Sequence, residues 1–467
     1  MPTVRATRPS AVVLGALTTG ALALTLWWGI RVWQHPPPGP ADWRDPAARL
    51  CGLIAGYLGA AQVWLAARVP WFEHTVPMRD ARRIHIGCGL AFLALTGAHA
   101  ALAVAAKAAT VRTPFTTAMI GVTVDLPYLW LAVLGLLLVL VAAISSVPAV
   151  RRSMSYGWWH LQHLLVYPAI AVSFAHQLYG PDLMSTAARF LWTLLHLTAL
   201  GAVLWYRVLG PARLTLRHQF TVAAIEPEGP GVVSIVVTGH DLDAVGARPG
   251  QYFRLRTLDW PMWWHSHPFS LSAAPRPDRL RFTVKAVGDY SDAMTGLTPG
   301  RWLLVSGPYG ALTGQARRRQ RVLLIGGGIG IAPLRALVED LDGKPAEITL
   351  LYRTERPDQA VFRAELDELA EERGIVVHYL SGPAPIVSHP GRNRRDDAAH
   401  LNDRHPRDSR IYRDDPLSRQ RLVTLVPDLV DHDAYVCGPP GMVAATIRSL
   451  RAAGLDPRHI HAETSAL

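Results

Sequence analysis

Six long stretches without an Asp, Glu, Lys or Arg dominate the first 210 residues: Ala11–Ile30, Leu50–Ala67, Ile84–Ala106, Leu126–Val150, Ser153–Pro181 and Phe190–Tyr206. Each is near or above the 17–20 residues that, at about 1.5 Å per residue, cross roughly 30 Å of hydrocarbon. The pattern predicts six transmembrane helices over 1–210. The first run follows Arg5 and Arg8, as the apolar core of a signal peptide would. Its length and the five runs behind it favour a retained helix.

After Tyr206 the period shortens. The runs FTVAAI, VVSIVVTG, YFRLRT, RLRFTVKAV and RWLLVSG alternate and are broken by Gly and Pro. They predict an antiparallel β-barrel over 213–318. From Arg321 strands and helices take turns. RVLLI runs into a glycine cluster at Gly326–Gly330 and a helix from Pro333; EITLLYR, VFRAELDELAEERG, IVVHYLSG, DAYVCG and MVAATIRSLRAAG follow. That order predicts an α/β parallel-sheet nucleotide-binding domain over 320–467. The fold class expected is therefore a multi-domain membrane protein. Within the last domain, 383–420 is charged and rich in Arg, Asp and His. It is expected to be a surface insertion, with His389, His400 and His405 as loop residues rather than metal ligands.

Charge sharpens this division. Residues 1–210 carry 15 basic and 6 acidic residues, hence +9 of the net +11, and 11 of the 15 tryptophans. The positive charge lies between apolar runs, so the partner it implies is a lipid bilayer and not nucleic acid. With the N-terminus inside, eight arginines fall on inner segments and six basic residues on outer ones, a weak positive-inside bias. The three cysteines, Cys51, Cys88 and Cys437, are too widely spaced for a disulfide framework, a Cys-only zinc site or an iron–sulfur cluster.

Histidines give the apolar runs their chemistry, because ionisable groups inside a membrane are costly and usually functional. His85 and His99 are 14 residues apart on the third helix, about 21 Å along the axis and within roughly 40° of one another. His163 and His176 are 13 apart on the fifth, about 20 Å along a helix running the same way. His85 thus levels with His163 and His99 with His176, as two six-coordinate b-type haems require. An ideal helix would set His163 and His176 about 140° apart; Pro168 lies between them, and His160 competes with His163. His196 has no level partner and is expected to be structural, as is Phe92.

Six motifs then occur in one order: Pro249-Gly250-Gln251-Tyr252, His267-Pro268-Phe269-Ser270, Gly288-Asp289-Tyr290-Ser291, Gly307-Pro308-Tyr309-Gly310, the GGGIGIAP run from Gly326 to Pro333, and Cys437-Gly438-Pro439-Pro440-Gly441. The series resembles the ferredoxin–NADP reductase superfamily. Its HPFS and GDYS variants, joined to helices with paired histidines, resemble the bacterial branch of the ferric reductase and NADPH oxidase family. The resemblance implies FAD, with His267 and Pro268 at the flavin phosphates, Phe269 against the isoalloxazine and Ser270 near N5. Gly288, Asp289, Tyr290 and Ser291 would serve its pyrophosphate. Gly326, Gly327, Gly328, Ile329 and Gly330 would hold the phosphates of the nicotinamide nucleotide, with Cys437, Gly438 and Pro439 near its ring. Ser270, Cys437 and Glu463 would surround hydride transfer. Arg353 would meet a 2′-phosphate, favouring NADPH over NADH. Glu463 is followed by Thr464 and Ser465, where similar enzymes often place an aromatic over the flavin, so gating by a terminal ring is not expected.

The function so implied moves electrons from cytoplasmic NADPH through FAD and two b-type haems, His85/His163 before His99/His176, to an outer acceptor, oxygen or ferric iron. The reductase half would be cytoplasmic and the helices would lie in the plasma membrane. The alternatives are a haem-free membrane-anchored flavin reductase and a non-catalytic redox-sensing subunit.

Overall fold

The computed structural model describes residues 9–67, 69–76, 78–257, 266–382 and 415–465. The chain forms two compact units, Met1–Gly210 and Pro211–Leu467.

The first unit is helical: α1 (Pro9–Gln34), α2 (Arg44–Ala66), α3 (Pro70–Thr75), α4 (Met78–Val111), α5 (Phe115–Asp125), α6 (Leu129–Ser146), α7 (Pro148–Arg152), α8 (Tyr156–Leu164), α9 (Val166–Gln177) and α10 (Thr186–Leu204). Among the described residues, five stretches are long and apolar enough to cross a membrane: Ala11–Gln34, Arg44–Ala66, Asp80–Val111, Leu129–Ser146 and Thr186–His218. Leu22, Leu26, Leu137 and Phe190 turn outward on them and are largely exposed, as suits side chains solvated by lipid. The fifth expected span is not one helix. It divides at Leu165 into α8 and α9. Pro168 has no N–H to give the Leu164 carbonyl, and its ring would clash there, so the α-helical ladder breaks one turn earlier. The helices approach closely over small residues. A Cβ on Gly52 would lie 2.8 Å from His99 Nδ1, and one on Gly135 would collide with Ser173 Oγ.

The second unit opens with α11 (Gly210–His218) and then two antiparallel sheets, β1-β2-β5 and β4-β3-β6. The strands are β1 (Thr221–Gly229), β2 (Val232–Thr238), β3 (Tyr252–Thr257), β4 (His267–Ser270), β5 (Arg279–Lys285) and β6 (Leu303–Tyr309). The expected barrel is thus two three-stranded sheets, bridged by single pairs at Thr221–Trp302 and Leu271–Phe282. Their inner faces share one core of Phe220, Ile235, Phe253, Leu255, Phe282 and Val305. Alternation along β3 sends Phe253, Leu255 and Thr257 inward and leaves Tyr252, Arg254 and Arg256 half-exposed. The helix α12 (Asp289–Thr295) follows β5.

The rest of this unit is a five-stranded parallel sheet, ordered β11-β10-β7-β8-β9. Its strands are β7 (Arg321–Gly327), β8 (Ile348–Thr354), β9 (Val376–Ser381), β10 (His432–Gly438) and β11 (Ile460–Thr464). Between them run α13 (Ile331–Asp340), α14 (Arg363–Arg373), α15 (Arg419–Leu425) and α16 (Pro440–Ala452). Both faces are covered. Leu324 and Leu350 pack on one side with Leu334 and Leu337, and Leu323 and Ile325 on the other with Leu422 and Val443. That two-sided burial is why these strands read as unbroken apolar runs.

Two expectations change here. Leu417 is buried in the core, so the end of the expected insertion belongs to the fold. Residues 383–414, with His389, His400 and His405, lie outside the described residues. The strand β11 was not anticipated, since five residues with two polar side chains and a charge carry little strand signal.

Candidate functional site

In the helical unit α4 carries His85 and His99, α8 carries His163 and α9 carries His176. The ring centroids of His85 and His163 are 6.0 Å apart, and those of His99 and His176 are 6.4 Å apart. The break at Leu165 is what permits both pairings, since a continuous helix would turn one histidine away. His160 instead stacks on Tyr156, with centroids at 5.7 Å, and His196 packs between Phe174 and Trp192 at 5.0 and 5.1 Å. Phe92 lies against Gly59 of α2.

The donor chemistry suits an axial metal. His99 Nδ1 is 2.8 Å from the Ala48 carbonyl. A carbonyl only accepts, so Nδ1 carries the proton and Nε2 keeps its lone pair. Gly52 is the residue that lets this ring reach α2. On α2 as well, Gln62 Nε2 donates to the His85 main-chain carbonyl at 2.7 Å. Centroid separations of 6.0 and 6.4 Å leave room for a metal between the two imidazoles of each pair. Among the described residues no cluster of three or more His, Cys, Asp or Glu offers an all-protein metal site.

In the second unit the parallel sheet reverses its strand order between β7 and β10, the position at which open α/β sheets bind nucleotides. The glycines there answer a steric need. A Cβ on Gly330 would fall 2.5 Å from the Cys437 carbonyl oxygen, and one on Gly327 would collide with Met442 Sδ. Gly328 has a φ of +53° with open space around it. The backbone of Gly326–Gly330 therefore sits directly on the β10 exit at Cys437–Pro439, at the N-terminus of α13, where main-chain N–H groups can meet phosphate.

Glu463 enters on β11, in register with Cys437. Its Oε1 accepts the Ala311 N–H at 3.0 Å, and a Cβ on Gly310 would meet it at 3.1 Å and Tyr252 at 3.2 Å. Tyr252 pairs with Ser270 across β3 and β4. Fold and register thus place Ser270, Tyr252, Gly310, Glu463 and Cys437 along one seam between the antiparallel and parallel halves. Burial pushes the Glu463 carboxyl up, against the Ala311 and Leu312 N–H groups. Burial, reinforced by Glu463, pushes the Cys437 thiol far above its ordinary range. Burial of this kind favours the neutral thiol.

On the flavin side of the motifs, His267 stacks on Tyr290 with centroids at 4.4 Å, and Phe269 lies parallel to the same ring at 6.5 Å. Alternation puts Pro268 and Ser270 on the opposite face of β4. The Tyr290 hydroxyl donates to the Leu255 carbonyl at 2.8 Å, and burial pushes its pKa up to about 12. Tyr290 is thus a packing residue as well as part of the Gly288–Ser291 turn. Ser291 Oγ accepts the Val287 and Gly288 N–H groups at 2.9 and 3.0 Å, capping α12, which begins at Asp289. Arg256 of β3 lies beside Tyr290, and burial lowers its pKa; the sequence motifs reach β3 only at Tyr252.

Arg353, near the end of β8, is buried at 6% exposure, and its Nη2 donates to the Gly382 carbonyl at 3.1 Å. Arg356, past the end of that strand, faces solvent 3.3 Å from Asp358.

Comparison with known proteins follows this division. Residues 51–174 match the family described as ferric reductase like transmembrane component, and residues 324–448 match the oxidoreductase NAD-binding domain. His85, His99 and His163 fall inside the first match, and His176 just past it. The reductase component of propane 2-monooxygenase from Gordonia sp. strain TY-5 is 36% identical over 124 residues, 26% of this chain and 35% of that protein. The ferredoxin–NAD(P)(+) reductase component of the naphthalene 1,2-dioxygenase system of Pseudomonas putida is 26% identical over 246 residues, 50% of this chain and 67% of that protein. A heavy chain of the superoxide-generating NADPH oxidase of Dictyostelium discoideum is 23% identical over 228 residues, 42% of this chain and 39% of that protein. The chain thus spans about a third to two-thirds of the relatives it matches.

Proposed function

We propose, from a chain in which a ferric-reductase-like transmembrane region is joined to an FAD- and NAD(P)-binding reductase module, that this protein carries electrons across a membrane from NADPH to an acceptor on the far side, oxygen or ferric iron. The observation that carries the reading is the pairing of His85 with His163 and of His99 with His176 at 6.0 and 6.4 Å. Haem-free anchoring helices would have no need to bring four histidines together in twos. The relatives that are named as NAD(P)(+) reductase and NADPH oxidase support a nicotinamide nucleotide as the donor.

FAD supplies the conversion between a two-electron hydride donor and one-electron haem acceptors. The residues divide the remaining work. Gly326–Gly330 and the start of α13 bind the dinucleotide phosphates, and Gly330 and Gly327 let that loop lie on Cys437–Pro439. Cys437, neutral and buried, shapes the nicotinamide side of the seam. Glu463, held by Ala311 and half-buried, fixes the depth of the donor ring and can hold a proton near the seam. Ser270 presents the flavin face of β4 and Phe269 packs with Tyr290 behind it, while His267 and Arg256 give cationic or donor groups for the flavin phosphates. His85, His99, His163 and His176 hold two b-type haems. The 2′-phosphate of NADPH would meet Arg356, since Arg353 is engaged with Gly382.

A reduced-minus-oxidised optical spectrum of the purified chain in detergent tests this. Two b-type haems per chain, reduced by NADPH only when FAD is present, are expected. A chain that binds flavin but no haem would overturn the reading in favour of an anchored flavin reductase.

A further inference from the structure

The two histidine pairs differ in what holds the second nitrogen of one ring in each, His99 and His163. His99 Nδ1 rests on a main-chain carbonyl, which no side-chain substitution removes. His163 Nδ1 is 3.4 Å from the hydroxyl of Ser146, the last residue of α6. That hydroxyl has three neighbours whose roles close. Its proton is donated to the Ala142 carbonyl at 2.7 Å. Trp159 Nε1, which can only donate, gives a hydrogen bond to it at 3.3 Å. Toward His163, then, Ser146 Oγ can only accept, and Nδ1 is the protonated nitrogen. The lone pair is left on Nε2, the tautomer an axial ligand needs.

Trp159 does more than share that hydroxyl. It lies one helical turn before His163 on α8, and the two rings stack with centroids 5.2 Å apart and planes 19° from parallel. The Arg151 guanidinium of α7 sits over the other part of the cluster, 4.4 Å from the Trp159 ring and 5.7 Å from Tyr156. Three short consecutive elements, the end of α6, α7 and α8, are thereby clamped around one imidazole. Because α8 is only nine residues long and ends at Leu164, one residue past His163, its own ladder does little to fix the orientation of His163. The clamp supplies that orientation.

We infer that Ser146 and Trp159 are positioning residues for His163, setting the tautomer, the ring plane and the electron donation of this one ligand; the inference rests on the haem reading above. Loss of the Ser146 acceptor leaves the Nδ1 proton unpolarised and the imidazole a poorer donor. The ferric state is then less stabilised, and the midpoint potential of that haem rises. The other haem, whose ligand is held by the Ala48 carbonyl, does not move and serves as an internal control.

The test is a potentiometric titration of the haem bands of the full chain in detergent, with haem counted per chain and low-spin electron paramagnetic resonance on the oxidised protein. Ser146→Ala is expected to raise the potential of one haem and to weaken retention of that haem about tenfold. Ser146→Thr, which keeps a hydroxyl, is expected to restore both. Trp159→Leu is expected to shift the resonance signature of the same haem and not the other, and carries the test should S146A not accumulate. Two haems in the wild type with unmoved potentials and resonances in both variants would overturn the inference alone. A wild type without haem would overturn the haem reading and this inference with it.

Discussion

Asp433 shows how one residue can hold a junction. It is fully buried at the start of β10, and its carboxylate accepts the N–H groups of Arg318 and Arg319, the latter at 2.6 Å, and His459 Nδ1 at 2.7 Å. Burial alone would push this carboxyl up. The Arg318 N–H, the His459 ring and the Arg319 N–H together hold it below the usual carboxylate range. A depressed folded-state pKa contributes stability that is fully present above the unfolded value of about 3.9 and is lost as pH falls through the folded one. Asp433→Asn should therefore cost about 3 kcal/mol at pH 7, seen as a lower melting temperature of the solubilised chain. The difference from wild type should shrink as the pH is taken below about 4. An unchanged melting temperature at pH 7 would show that the main-chain bonds alone hold the junction. Nothing in the sequence marks Asp433, because two of its partners are backbone amides more than a hundred residues away and the third, His459, lies beyond a whole helix.

At the scale of elements, the two decisive features are an interruption and an approach. The division of the fifth span at Leu165 follows from Pro168, which is visible in the sequence. Its consequence, that His163 and His176 both come to face α4, follows only from where α8 and α9 pack. The approach is that of β7 to β10. Gly330→Ala would place a Cβ 2.5 Å from the Cys437 carbonyl oxygen and 2.7 Å from Gly438 Cα, both main-chain atoms that cannot swing aside. The expected outcome is a KM for NADPH raised at least about tenfold, equal to about 1.4 kcal/mol of lost binding, with flavin and haem content intact. Steady-state kinetics with an artificial one-electron acceptor would read this directly. An unchanged KM would mean that the loop does not contact the nucleotide. The glycine cluster at the end of β7 was legible in the sequence, whereas the steric reason for each glycine required the neighbouring strand.

Across the whole second unit, a charged network joins the antiparallel half to the parallel half. Arg281 of β5 holds Glu365 of α14 through two bonds of 3.0 and 2.8 Å. Arg335 of α13 reaches Glu365 and Glu339, both at 2.7 Å, and donates to the Ser272 carbonyl at 3.1 Å. Burial would raise the Glu365 carboxyl, but Arg281 and Arg335 keep it below its ordinary range. Because α13 begins at the phosphate loop, this network sets where that loop lies relative to the flavin-binding strands. Glu365→Gln removes the one charge shared by two guanidinium groups and should cost about 3–5 kcal/mol. It should slow NADPH-driven flavin reduction in stopped flow while leaving the haem spectrum unaltered. Flavin reduction at the wild-type rate would show that the halves are aligned by apolar packing instead.

What this chain's sequence determined by itself was the kind of element at each place and the chemistry available there. Apolar runs too long for a soluble core, strands of period two followed by buried ones, and six motifs in order are local properties, and locality is what a sequence preserves. Pairing was decided by tertiary structure. Which of His160 and His163 faces His85, that Arg353 turns inward to Gly382, that Glu463 arrives on an extra strand beside Cys437, and that Ser146 controls a tautomer all depend on contacts between residues distant in the chain. Such contacts are selected by the packing of whole helices and sheets, whose side chains meet only after the backbone has brought them within a few ångströms.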